Sequence, residues 1–82
     1  MLAQRIDCIT TERDGSGRRR ITHISGTAAN GERWHLTRED ALRAARRGTI
    51  YFVTFEAESY MVAAESLAEP DSSMLLRLPE CR

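Results

Sequence analysis

Apolar and polar positions along this chain change period from two to helical and back, and the changes mark its elements. Arg5-Ile-Asp-Cys-Ile-Thr-Thr11 has the β-branched content of a first strand, with Ile6 and Cys8 on one face and Ile9 on the other. Asp14-Gly15 and Ser16-Gly17 form a polar turn, and Arg18-Arg-Arg-Ile-Thr-His-Ile-Ser25 returns as the second strand of an antiparallel hairpin. Gly26 marks a bulge or the strand end. Asn30-Gly31 is the strongest short turn signal, and Glu32-Arg-Trp-His-Leu36 is a short third strand.

The period then becomes helical. Thr37 with Asp40 has the spacing of a capping box, close to the Ser/Thr-x-x-Glu/Gln form. Glu39 and Asp40 suit a helix N-terminus, Arg43, Arg46 and Arg47 suit its C-terminus, and Gly48 suits its left-handed end. The helix, roughly Arg38 to Arg47, turns Ala41, Leu42 and Ala45 to one side, a narrow small-residue stripe that lets it lie close to a sheet. Ile50-Tyr-Phe-Val-Thr-Phe55 is apolar on both parities, as expected of a central strand covered on two faces. Ser59-Tyr-Met-Val-Ala-Ala64 pairs with it as a second hairpin through a tight connection at Glu56-Ala57-Glu58. Residues 66–73 are a loop around Pro70, and Met74-Leu-Leu-Arg-Leu-Pro79 closes as an edge strand or docking tail. The expected fold is α+β: an antiparallel sheet of about five strands with a single helix across one face, in one domain over residues 1–82.

Composition adds little to that picture until charge is divided along the chain. Hydrophobic residues at 41% and charged ones at 29% exclude disorder throughout, and no apolar run approaches the ~20 residues needed to cross a bilayer. Charge appears too early in Met-Leu-Ala-Gln-Arg-Ile-Asp for a signal peptide, so a cytoplasmic setting is expected. Net charge is zero, yet residues 1–48 hold ten Arg against six acids and residues 49–82 hold two Arg against six. Either the halves interleave and cancel, or a dipolar surface turns its basic side to an anionic partner. Arg18, Arg19 and Arg20 head that side. They read as a strand edge that resists pairing, or as a phosphate- or carboxylate-binding patch in which Arg18 and Arg20 join Arg33, Arg43, Arg46 and Arg47.

An ordered set of features carries a resemblance. Ile21-Thr-His-Ile24, Gly26, Trp34 before Leu36-Thr37, the Ala-rich helix ending in Gly48, Tyr51 with Val53, and the ending Leu75-Leu-Arg-Leu-Pro-Glu-Cys81 stand in sequence. Together they resemble the small bacterial family named domain of unknown function 3892, over Ile6 to Cys81. Ser73-Met74 departs from the Asn expected before the Leu pair. The resemblance implies a small α+β domain in a bacterial or phage setting and brings no activity.

Candidate chemistry is sparse. Cys8, His23, His35 and Cys81 could ligate zinc, but spacings of 15, 12 and 46 match no compact zinc pattern. Two reduced thiols packed as small hydrophobes and two ordinary histidines are expected, with no metal and no cofactor; a disulfide joining the chain ends is the alternative. A His beside a Cys could pair base with nucleophile, yet the sequence places no third orienting group and no Gly-rich oxyanion loop, so no enzyme is expected. Trp34 reads as the anchor of the helix–sheet joint, with a contact role as its alternative. The expected function is a non-enzymatic binding module acting through a protein partner, as a phage- or plasmid-borne modulator of a bacterial system. A nucleic-acid-binding accessory protein using the Arg-rich edge is the alternative, and a homo-oligomer is compatible with either.

Overall fold

The first strand is longer than its apolar pattern suggests and becomes the spine of the sheet. The structure is a computed structural model that describes residues 2–54 and 61–82. In it β1 (Leu2–Arg13), β2 (Arg19–Ala28), β3 (Arg33–Thr37) and β4 (Ile50–Thr54) form one four-stranded sheet in the order β3-β2-β1-β4. Helix α1 (Arg38–Arg47) joins β3 to β4, helix α2 (Ala64–Ala68) follows, and a 3₁₀ turn at Leu75–Arg77 precedes the tail.

Both first hairpins close in the same way. Asp14 and Arg18 bracket one turn and Ala28 and Glu32 the other, each with a backbone bond across its base (2.9 and 2.8 Å). Gly17 (φ 83°) and Gly31 (φ 87°) take the left-handed place that ends such three-residue loops. The sheet is mixed rather than antiparallel, because β4 runs parallel to β1, pairing Leu2 with Ile50 through Ile6 with Thr54. The cause is α1. A helix between two strands of one sheet returns the chain to the end where it started, so β4 must run the same way as β3. Among the described strands it is the outermost, opposite β3, rather than central. Both of its faces are nonetheless covered: Phe52 is fully buried in the core, and Val53, 8% exposed, faces the other way.

The second hairpin departs from expectation at its described end. Val62 N–H donates to Phe52 O at 2.7 Å, but Ala64 opens α2 instead of ending a strand, so two helices replace one. The expected connection at 56–58 and the strand start at 59–60 lie outside the described residues, as does residue 55.

Two bulges decide which side chains meet. Asp7 is extra between the pairs Ile6↔Gly26 and Cys8↔Ser25, and Thr22 is extra between Thr10↔His23 and Thr11↔Ile21. Each bulge resets the alternation, so Ile6 and Ile9 share the core face, and so do Ile21 and Ile24. Strict alternation wrongly puts Ile9 opposite Ile6. The core is these four Ile residues with Phe52, Ala41 of α1, Leu67 of α2, Val62 and Leu75.

α1 forms as its local signals dictate. Thr37 Oγ1 accepts from Asp40 N–H at 3.1 Å, and Gly48 (φ 76°) ends the helix. Its first residue has a further task. Arg38 donates from Nε to Ile21 O (3.3 Å) and from Nη1 to Leu67 O (2.9 Å) and Ala68 O (3.1 Å). A single guanidinium thus ties α1 to β2 and to the carbonyls at the end of α2, where a cation is favoured. Arg38→Ala is expected to cost about 2–3 kcal/mol through three carbonyls left without their charged donor, read as the unfolding midpoint in urea. A midpoint equal to wild type would mean that water replaces the clamp.

The tail docks where β4 leaves off. Among the described residues β4 pairs β1 as far as Ile6, and beyond it Ile9 N–H donates to Pro79 O (2.9 Å) while Cys81 N–H donates to Ile9 O (2.8 Å). Cys8 and Cys81 are joined by a disulfide with Cα atoms 5.0 Å apart, so the expectation of two free thiols is corrected. The bulge at Asp7 and the path of the tail bring the two ends together, and neither is visible in residue spacing.

Candidate functional site

Both helices contribute to the core side of the sheet, and the other face is where the chain's unassigned polar chemistry gathers. Pairing places its side chains in rows: Val53, Arg5, Thr27 and Arg33; then Cys8, Ser25 and His35; then Thr10, His23 and Thr37. This is a polar surface, not the apolar patch that a sheet covered on one side could expose. Asp7, the bulged residue, holds its row together, accepting from Arg5 Nε at 2.9 Å and from Thr27 Oγ1 at 2.6 Å.

In the next rows Ser25 Oγ is hydrogen-bonded to His35 Nδ1, and the His35 ring stacks on His23 with centroids 4.9 Å apart and planes 8° from parallel. His23 Nδ1 lies 3.0 Å from Thr22 Oγ1. The tail rises beside these rows and, with Arg33 and Trp34, encloses an open groove of about 730 Å³. Cys8, Thr10, Ser25 and His35 line its sheet side, and Glu80, Cys81 and Arg82 its tail side. Glu80 is already engaged, accepting from Arg19 Nη2 at 2.7 Å and from Thr11 Oγ1. Trp34 is partly buried, its ring 5.3 Å from Phe52 and tilted 57°. Its indole N–H is buried without a hydrogen-bond partner among the described residues.

The four zinc-competent residues of the sequence thus converge on one face, but as a disulfide and a stacked ring pair. Cysteines in a disulfide offer no thiolate to a metal or substrate, and among the described residues no three His, Cys, Asp or Glu side chains form a metal-sized cluster. The Ser25–His35 contact has the form of a nucleophile and its base. Sequence reasoning paired the histidines with cysteines and passed over Ser25. The signal was available in parity, since Ser25 shares a face with His23 and lies directly across from His35.

The six candidate arginines do not form one patch. Arg18 and Arg20 sit at the β1–β2 hairpin and share a shallow depression with Asp14 and Asp71, while Arg19 reaches Glu80. Arg33 opens β3 at the other end of the sheet, on the polar face, while Arg46 and Arg47 lie in the last turn of α1. Most of the length of β2, from Thr27 to Arg20, separates Arg33 from the hairpin arginines, too far for them to grip one small anion together. Arg43 is paired with Asp40 one helical turn away.

Two carboxylates anchor the hairpin and the tail, and both are held below their ordinary range. For Asp14 the main cause is the Ser16 hydroxyl bond, then the Arg18 backbone N–H. For Glu80 it is the Thr11 hydroxyl, then Arg19. A carboxylate with a lowered folded-state pKa stabilises the fold above the unfolded value, about 4, and that contribution is lost as pH falls through the folded value. Thermal stability should therefore drop below about pH 4, and Asp14→Ala with Glu80→Gln should flatten the drop. An acid profile unchanged in the double variant would assign it to other carboxylates.

Among the described residues no helix is long and apolar enough to cross a membrane. No protein-family model, no curated protein and no solved structure matches the chain.

Proposed function

We propose that this chain is a non-enzymatic binding module that acts by protein–protein contact through the polar face of its sheet. One observation carries this reading: the face away from the core presents ordered polar side chains beside an open groove. A shallow, polar surface with fixed side chains suits the rim and hydrogen-bonding part of a protein interface. A small-molecule active site instead needs an enclosed, largely apolar pocket. The resemblance to domain of unknown function 3892 supports a bacterial setting, as a phage- or plasmid-borne modulator of a larger system. A cytoplasmic location belongs to the same proposal, and there the Cys8–Cys81 bond becomes sensitive to redox state, because a reducing compartment favours thiols.

The test is affinity capture from a bacterial lysate with wild type, with His35→Ala/Arg33→Glu on the polar face, and with Arg18→Ala/Arg20→Ala at the hairpin. The proposal expects a protein enriched by wild type and by the hairpin variant but lost from the polar-face variant. Equal capture by all three would remove the polar face from the function.

The alternative, nucleic-acid binding by the Arg-rich edge, is weakened by Asp14 and Asp71 beside Arg18 and Arg20. It makes a separate prediction. Phosphate contacts release counterions, so binding would weaken steeply with salt, and losing Arg18 and Arg20 would reduce the slope by up to about two contacts. The expected outcome is no appreciable duplex DNA or RNA binding in ~150 mM salt. Tight binding that Arg18→Ala/Arg20→Ala weakens would replace the first reading by the second.

A further inference from the structure

We infer that the groove between the polar sheet face and the docked tail receives an acidic, carboxylate-rich segment of a protein partner. This rests on the proposed contact face and specifies its chemistry. The groove has two guanidinium groups at its margins, Arg33 and Arg82, and neither has an ion-pair partner among the described residues. Its one acidic lining residue, Glu80, is occupied by Arg19 and Thr11 and so does not offset them. Of the remaining lining, Thr10, Ser25 and His35 add neutral donors, while Trp34, Pro79 and the disulfide are apolar. Thr10 and Ser25 bring hydroxyls, and when Ser25 donates to His35 Nδ1 the ring's one proton sits on Nε2, which can then donate.

Arg forks match carboxylates in pairs, and hydroxyl and imidazole donors complete the oxygens' remaining lone pairs. A basic segment would meet two like charges, and an apolar one would strand these donors without partners. Shape points the same way. The groove is open along its length, which admits an extended chain rather than enclosing a small molecule. One wall is the tail that the disulfide and the Ile9 backbone bonds hold in place, so the cations keep their separation before any partner arrives.

The experiment is an amide NMR titration of the oxidised protein with a hexaglutamate peptide, a hexaglutamine peptide and a short DNA duplex. Hexaglutamate should shift the amides of Thr10, Ser25, Arg33, His35 and Cys81, and hexaglutamine should not. Arg33→Glu should weaken hexaglutamate binding by about tenfold, since it removes one ion pair and adds repulsion. Arg13→Glu, the same charge change at the hairpin, should leave binding within about twofold of wild type. Shifts confined to the hairpin, equal losses in the two variants, or equal binding of hexaglutamine would overturn the inference. Duplex DNA displacing hexaglutamate from the groove would also overturn it, by assigning the cations to phosphate. If hexaglutamate fails to bind while capture still depends on the polar face, the acidic segment is wrong and the contact face stands. If capture also ignores that face, the functional reading falls with it.

Discussion

Breaking the Cys8–Cys81 bond is expected to lower stability by about 4 kcal/mol, a large share of what a small domain has. The two residues are 73 positions apart, so the bond closes most of the chain into one loop and removes many unfolded conformations. What would remain to hold the tail is modest: two backbone bonds at Ile9, the packing of Leu78 against the core, and the exposed contacts of Glu80 with Thr11 and Arg19. Exposed contacts of that kind contribute little, because water and salt screen them. Reductant should therefore lower the urea midpoint of wild type, while Cys8→Ser/Cys81→Ser should start low and ignore reductant. The double variant should also lose protection of the Ile9 and Cys81 amides from exchange. An identical midpoint with and without reductant would mean that the tail docks by its packing alone.

The other large effect is expected at Gly26, which faces the bulge between Ile6 and Cys8. A Cβ built there lies 1.7 Å from Arg5 O and 2.7 Å from the Trp34 ring, far inside contact distance. The carbonyl belongs to the backbone of the neighbouring strand and cannot rotate away. Gly26→Ala must therefore part β1 from β2 or push Trp34 off Phe52, at a cost of at least about 4 kcal/mol. Gly15→Ala is the control, because nothing lies within 4 Å of the Cβ it would add. Thermal unfolding should show Gly15→Ala near wild type and Gly26→Ala unfolded or nearly so. A folded Gly26→Ala protein with a wild-type midpoint would contradict the close approach of the strands.

These two positions also show what a linear sequence can and cannot reveal. α1 was fully legible because its signals are local: Thr37, Asp40 and Gly48 act on backbone groups within a few residues of themselves. Gly26 was read as a bulge or a strand end, and it lies across from the bulge at Asp7 while β2 continues to Ala28. The end of the chain was read as an edge strand or docking tail; it forms a 3₁₀ turn at Leu75–Arg77 and then docks on Ile9, a partner the sequence did not name. What the sequence hides is non-local. Alternation carries no sign of an inserted residue, so the bulge at Asp7 reversed the face assigned to Ile9. The parallel course of β4 was implied by a helix between two strands, but the apolar run in β4 reads equally well as half of a hairpin. Arg38 looks like any other arginine of the basic half, and only the position of α2 makes it a clamp. The Ser25–His35–His23 arrangement needs β2 and β3 in register, which a five-residue edge strand scarcely announces.

The polar sheet face as the contact surface is tested most directly by photo-cross-linking from chosen positions. A benzophenone side chain in place of His35 samples the groove, and one in place of Arg43 samples the exposed side of α1 across the molecule. Irradiation in a bacterial lysate should give a discrete protein adduct from position 35 and none from position 43. An adduct from position 43 alone, or a nuclease-sensitive adduct from position 35, would contradict it.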